Sequence, residues 1–153
     1  MAGRVEAIYV RPSRNAGPIS LDRVRAGAGR GLEGDRYFAG TGTYSEEGRT
    51  GQDLTLIEAE ALDALVAETG IALPPAESRR NVVTRGIGLN DLVGKRFRVG
   101  PVVCYGQRLC EPCAHLESLT QDGVLRGLVH GGGLRADILT DGEIALGDPV
   151  ESL

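Results

Sequence analysis

Twenty-three glycines and seven prolines interrupt this chain of 153 residues, and that punctuation constrains the fold more than any other feature. A glycine inside a helix costs about 1 kcal/mol relative to alanine and a proline about 3 kcal/mol, whereas both residues serve turns. The pattern favours short strands joined by turns over long helices. One stretch escapes it. Ile57, Ala61, Leu62, Leu65, Val66 and Thr69 recur at three-and-four spacing, with no glycine or proline between them. This predicts a helix whose apolar stripe lies in the core. Gly70 stands where a left-handed cap would end that helix. Thr55-Leu56-Ile57-Glu58 matches a capping box that would start it earlier.

Elsewhere the apolar residues alternate over short runs. Strands are predicted at residues 5–10, 54–57 and 79–84, and a hairpin from 96–99 to 102–107 about Gly100-Pro101. A last hairpin is predicted from 135–140 through Asp141-Gly142 to 143–146, because Asp-Gly is a strong type I′ turn signal. Ile144 and Leu146 would then face the core together. Residues 11–21 and 39–51 read as loops, and 116–129 as short helical turns weakened by Gly123 and Gly127. Six to eight short strands, one clear helix and no βαβ alternation predict a single domain over residues 1–153. It would be mainly β with minor α: an antiparallel β-barrel decorated by that helix and short helical turns. With aromatics at 4% and no tryptophan, the core must be aliphatic.

The net charge of −4 argues against a nucleic-acid partner. Ala7-Ile8-Tyr9-Val10 is too short for a signal-peptide core, and no run approaches the ~20 apolar residues of a membrane span. An odd count of three cysteines does not suggest a secreted disulfide framework, so a cytoplasmic protein without a membrane partner is expected. Lys95 is the only lysine among seventeen basic residues. The arginine excess fits genomic bias, and it also supplies planar forks able to grip oxyanions.

Two motifs lack the context their usual functions need. Gly29-Arg30-Gly31-Leu32-Glu33-Gly34 fits G-x-G-x-x-G, but no buried strand precedes it and no helix follows, so its glycines are assigned to turns. His130-Gly131-Gly132-Gly133 resembles an esterase oxyanion loop without a G-x-S-x-G serine to serve. A flexible turn that lets the backbone approach a ligand is expected there.

The chemistry concentrates at Arg108-Leu109-Cys110-Glu111-Pro112-Cys113-Ala114-His115. The histidine is misplaced for haem attachment, and a thioredoxin role would need a βαβ context. Cys104, Cys110, Cys113 and His115 could complete a four-ligand zinc site, although a second ligand pair at the usual spacing is missing. Buried small hydrophobes are a further reading. The remaining reading is a reactive thiolate or metal-ligating sulfur, near Arg108 and His115 in sequence.

Four stretches in order resemble the MOSC family, named after the C-terminal domain of molybdenum cofactor sulfurases. They are Gly31-Leu32-Glu33-Gly34-Asp35-Arg36-Tyr37, Ser78-Arg79-Arg80-Asn81-Val82-Val83-Thr84, the Cys110 to Leu116 turn, and Leu134-Arg135-Ala136-Asp137-Ile138 running on to Gly147-Asp148-Pro149-Val150. The resemblance implies a β-barrel and one functional cysteine, either a molybdenum ligand or a persulfide carrier. Similarity to amidoxime-reducing members places that cysteine at Cys113, with Cys110 beside it. It implies that Arg79 and Asn81 contact the pterin, and that Arg36, Arg135 and His115 lie near the pocket. The amidoxime-reducing members carry an N-terminal β extension for which 153 residues leave no room, so the likeness is to small stand-alone bacterial members. A pyridoxal-phosphate desulfurase domain is not expected, since its chemistry needs a Schiff-base lysine and Lys95 sits in a polar turn.

The leading expectation is a molybdenum-cofactor-binding protein with Cys113 as metal ligand, reducing N-hydroxylated compounds with electrons from a partner. The second is a persulfide carrier loaded by a partner cysteine desulfurase, with Cys110 as the resolving thiol. The third is a non-catalytic barrel that binds zinc or merely packs its cysteines.

Overall fold

The computed structural model describes residues 3–13, 17–35, 51–70, 75, 80–109 and 133–153. Eleven strands, one α-helix and a short 3-10 helix (Leu89–Leu92) occur among them: β1 (Gly3–Val10), β2 (Ile19–Leu21), β3 (Arg23–Gly27), β4 (Gly31–Leu32), β5 (Leu54–Glu58), α1 (Ala59–Thr69), β6 (Val82–Arg85), β7 (Arg96–Val99), β8 (Val102–Leu109), β9 (Leu134–Ile138), β10 (Gly142–Ala145) and β11 (Pro149–Ser152).

Period-two burial sorts their side chains. Leu134, Ala136 and Ile138 on β9 face inward, and Arg135 and Asp137 face outward. The strand order β11-β7-β8-β9-β5-β6-β1 closes on itself through a β1–β11 pairing, Gly3 opposite Val150 and Arg4 opposite Pro149. A seven-stranded barrel results, with β2 added along β1. The strands β10, β3 and β4 form a separate three-stranded sheet. Aliphatic inward residues such as Ile8, Leu54, Leu56, Val82 and Leu134, with Phe97, fill the barrel, and Val24, Leu32 and Ile144 join them from the small sheet. A register shift between Val5 and Ala7 lets both Val5 and Ile8 face this core although two residues lie between them, which in a regular strand would put them on opposite faces.

The barrel is not strictly antiparallel. β5 and β6 run parallel, with Leu56 opposite Val82 and Glu58 opposite Thr84. The reason is α1, which follows β5 directly and makes the connection a crossover. A crossover returns the chain to the end where it began, so the next strand runs the same way. Leu62 and Leu65 of α1 pack on Ile57 and Val83, which face outward from β5 and β6. Gly70 ends the helix as predicted, at φ 74° with its N–H bonded to the Val66 carbonyl. The capping box does not form: Thr55 and Ile57 belong to β5, and no side chain caps the helix. Val66, expected in the core, is 46% exposed.

The expected last hairpin is also absent. β9 pairs with β5 and β8, and β10 pairs with β3, Gly142 opposite Ala26. Leu139 and Thr140 stay bonded to Val103 of β8, so the chain cannot fold back on β9. The Asp141 carboxylate accepts the Ala28 N–H at 2.7 Å and ties the crossing to the small sheet. Leu146 is therefore 44% exposed, while Ile144 is buried. The hairpin about Gly100-Pro101 forms as read, with Val99 opposite Val102. The glycines at 29, 31 and 34 serve the β3–β4 connection and the turn after it, as the sequence suggested. Gly133 brings its backbone against the Leu56 carbonyl where a Cβ would not fit; His130 lies outside the described residues. Among the described residues no helix is long and apolar enough to cross a membrane.

Candidate functional site

Two residues singled out by sequence, Asn81 and Arg135, are 54 positions apart in the chain, yet they meet on one outer wall. Arg135 of β9 lies opposite Thr55 of β5. Thr55 in turn clasps Asn81, the residue before β6. Its N–H and hydroxyl donate to the Asn81 side-chain oxygen at 3.1 and 3.0 Å, and the Asn81 N–H returns bonds of 3.0 Å to the Thr55 hydroxyl and carbonyl oxygens. The Asn81 amide nitrogen reaches the Tyr9 carbonyl of β1 at 3.2 Å. Thr55 and Asn81 are buried, and Arg135 is half-buried.

The row extends to β8 because that strand breaks its alternation. Val102, Cys104 and Gly106 face inward, so a regular strand would turn Arg108 into the barrel. A bulge between Gly106 and Arg108 adds one residue and sets Arg108 opposite Arg135 instead, on the outer face. Leu109 then falls opposite Leu134. A lateral row of Arg108, Arg135, Thr55, Asn81 and Tyr9 thus crosses five neighbouring strands. It is buried in the middle and open at Arg108.

Gly51 lies over the arginine end. It adopts φ 75°, and an added Cβ would come within 2.8 Å of the Arg108 Nη1 and 3.3 Å of the Arg135 Cβ. Its N–H donates to Asp137 Oδ1 at 2.7 Å, and the Gln107 side-chain amide donates to Asp137 Oδ2 at 2.5 Å. Nearby, Asp53 is buried and accepts the Ile138 N–H at 3.0 Å. Burial raises its pKa, the Ile138 bond lowers it, and the Asp137 charge raises it again.

Cys104 faces the barrel interior and is fully buried. Burial above all, with the charges of Asp53 and Asp137 adding to it, pushes its thiol up to about 12. A thiol held protonated in an apolar core is neither nucleophile nor ready metal ligand, which weakens the four-ligand zinc reading at this residue. Among the described residues no group of three or more His, Cys, Asp or Glu is placed to hold a metal. Lys95 is exposed in its turn.

Arg36, Arg79, Cys110, Cys113 and His115 lie outside the described residues. Arg36 directly follows Asp35, whose carboxylate accepts the Arg11 N–H at 2.8 Å. Arg79 directly precedes the buried Arg80, and Cys110 directly follows the last residue of β8. Sequence reasoning missed Thr55, Gly51 and Asp137 as parts of this wall, and it read Arg108 only as a cation near the cysteines. The one sequence signal for Arg108 is a charged residue on the inward beat of an apolar alternation.

The family model described as "MOSC domain" matches residues 43–151, more than half of the chain. No curated protein matches the sequence. Among solved structures, the YuaD protein from Bacillus subtilis superposes with a TM-score of 0.82 at 18% identity, over 99% of this chain and 96% of that one. YiiM from Geobacillus stearothermophilus follows at 0.74 and 14% identity, over 99% and 75%. YiiM from Escherichia coli reaches 0.69 at 18% identity, over 98% and 69%. At such identities the likeness is one of fold.

Proposed function

The chain belongs to the MOSC domain family, and from that membership we propose that it binds a molybdenum cofactor, with Cys113 as the soft ligand to the metal. The observation that carries the proposal is the row across the outer wall, which joins Arg135 to the strand entrance at Asn81 and adds Arg108. Its donor set suits the group. A pterin dithiolene with a phosphate is an anion, and guanidinium forks beside it form charge-assisted, bidentate hydrogen bonds. When bound, the cofactor supplies a redox-active metal that accepts sulfur ligands.

The chain's own residues divide the work. Thr55 and Asn81 saturate each other and hold β5, β6 and β1 in register, so the arginines stand on a rigid wall. Arg135 and Arg79 neutralise negative charge. With Cys104 protonated in the core, Cys110 and Cys113 are the thiols left for ligation. Cys113 is four positions after Leu109, so chain length alone keeps it within about 14 Å of the end of β8. Substrate would be an N-hydroxylated compound, and its reduction would draw electrons from a separate partner protein.

Elemental analysis tests this, with wild type and Cys113→Ala expressed in a host that makes the cofactor. The expected result is molybdenum near one atom per chain in the wild type and its loss in the variant. A wild type without molybdenum would overturn the reading.

The burial of Cys104 also favours a second reading, since it leaves Cys110-x-x-Cys113 as the reactive pair. In it Cys113 receives a persulfide sulfur from a partner cysteine desulfurase and Cys110 resolves it. The exposed turn at Lys95 offers no enclosed site for a Schiff base, so the sulfur would come from outside the chain. A mass gain of about 32 Da on Cys113, after incubation with desulfurase and cysteine, marks this outcome.

A further inference from the structure

We propose that Glu58 and Thr84 form a proton-operated latch that fastens the 3-10 helix Leu89–Leu92 to one end of the barrel. It is the end where β8 stops and β9 begins, since Leu109 lies opposite Leu134, and Leu134 opposite Leu56, two residues before Glu58. The latch is independent of the cofactor reading, but it stands at the base of the segment that carries Cys110 and Cys113.

Three features of the fold meet at Glu58. The first is its register partner across the parallel pair of β5 and β6, which is Thr84. Leu56 and Val82, two positions earlier on each strand, both belong to the barrel core, so alternation turns Glu58 and Thr84 to the same inward side. Thr84 is completely buried, and its hydroxyl has no protein partner. Buried hydroxyls are seldom left so, and the side chain beside it in register is a half-buried carboxyl. The second feature is the bond that the Glu58 carboxylate accepts from the Leu89 N–H. Glu58 precedes α1 at its cap position yet makes no capping bond to that helix. Leu89 and Leu92 are buried in the barrel core, so the Leu89 bond ties the 3-10 helix to β5. The third is electrostatic. The charges that act on Glu58 are those of Glu60 on α1 and Asp91 on the 3-10 helix, both negative. Arg85, next to Thr84 on β6, pairs with Glu6 and Asp63, and the inward residues of β9 are Leu134, Ala136 and Ile138. Burial raises the Glu58 pKa, the Leu89 bond lowers it, and the two neighbouring charges raise it again.

A proton taken from solvent gives Glu58 an O–H. That group donates to the Thr84 hydroxyl oxygen, the other carboxyl oxygen keeps the Leu89 N–H, and the repulsion from Glu60 and Asp91 ends. Ionisation removes the donor and restores the repulsion. A carboxyl whose folded pKa is raised contributes stability that is fully present below its unfolded value and is lost as pH rises through the folded value. The latch is therefore closed on the acid side and slack above it.

The test is NMR titration of the Glu58 carboxyl carbon in the full chain, with wild type beside Thr84→Val and Thr84→Ser. The expected midpoint lies above the ordinary glutamate range in wild type, falls toward it in Thr84→Val and is kept in Thr84→Ser. Glu58→Gln mimics the closed state at every pH, because its amide can donate to Thr84 while its oxygen accepts from Leu89. At neutral pH it should unfold at higher urea than wild type and slow exchange of the Leu89 amide proton by about threefold or more. At acid pH the difference in urea midpoint should close. Adding Thr84→Val to Glu58→Gln should shrink the gain, and thermal melts check that each variant is folded. A Glu58 midpoint within or below the ordinary range, or the same midpoint in wild type and Thr84→Val, would sink the latch. So would unchanged Leu89 exchange in Glu58→Gln, or a gain that Thr84→Val leaves intact, since relief of repulsion alone would then account for it.

Discussion

Asn81 does structural work that sequence pattern does not describe. Resemblance put it beside a pterin. The structure puts its side-chain amide into three hydrogen bonds, two buried ones from Thr55 and a part-buried one to the Tyr9 carbonyl, which tie the entrance of β6 to β5 and β1. Its burial makes those bonds expensive to lose, since a buried group left unpaired costs about 1–3 kcal/mol. Asn81→Ala is expected to destabilise the cofactor-free chain by about 2–4 kcal/mol in urea unfolding, because it strands the Thr55 N–H and the Tyr9 carbonyl together. A loss below about 0.5 kcal/mol would show that the network is not holding the wall. The same resemblance named Arg135 as a residue near the pocket. Arg108 was visible in the sequence only as a neighbour of the cysteines. Its place opposite Arg135 depends on a bulge, and a bulge is a pairing event between two strands rather than a property of one.

At the level of elements, α1 was the most readable feature, because three-and-four spacing and a terminal glycine are both local. Its start was ambiguous for the opposite reason. Thr55 and Ile57 fit a helical phase and a strand equally well, and pairing with β9 and β6 decided for the strand. The helix then made β6 parallel to β5, so one local element changed the topology of the barrel. Its packing is testable. Leu65 is buried against Ile57 and Val83 on the outer wall, and Leu65→Ala should cost about 2–4 kcal/mol in chemical denaturation. Val66→Ala, on the exposed side, should cost less than about 0.5 kcal/mol. The Arg85 ion pairs with Glu6 and Asp63 at 2.9 and 3.2 Å bind β6 to β1 and α1, but exposed pairs of this kind add little.

For the whole molecule, closure is the decisive event. β11 pairs with β7 on one side and β1 on the other, and Val150 is buried in the core. Removing residues 149–153 would leave two unpaired strand edges, which invite aggregation. The truncated chain is expected to lose its cooperative thermal transition by circular dichroism and to elute as aggregates in gel filtration. A sharp melt near that of the full chain would mean that closure contributes little.

The sequence by itself determined the short-strand character, the helix and its cap, the hairpin about Gly100-Pro101, the aliphatic core and the order of the family's motifs. Each depends on residue spacing or on the preference of one residue for one backbone shape. The tertiary structure alone decided that β5 and β6 run parallel, that Asp141-Gly142 carries the chain between sheets instead of turning it back, and that Arg108, Arg135, Thr55 and Asn81 stand in one row. These outcomes depend on which strand lies next to which and in what register. That choice is made by the competition among all strands for partners and for the same buried interior, which no local stretch of sequence records.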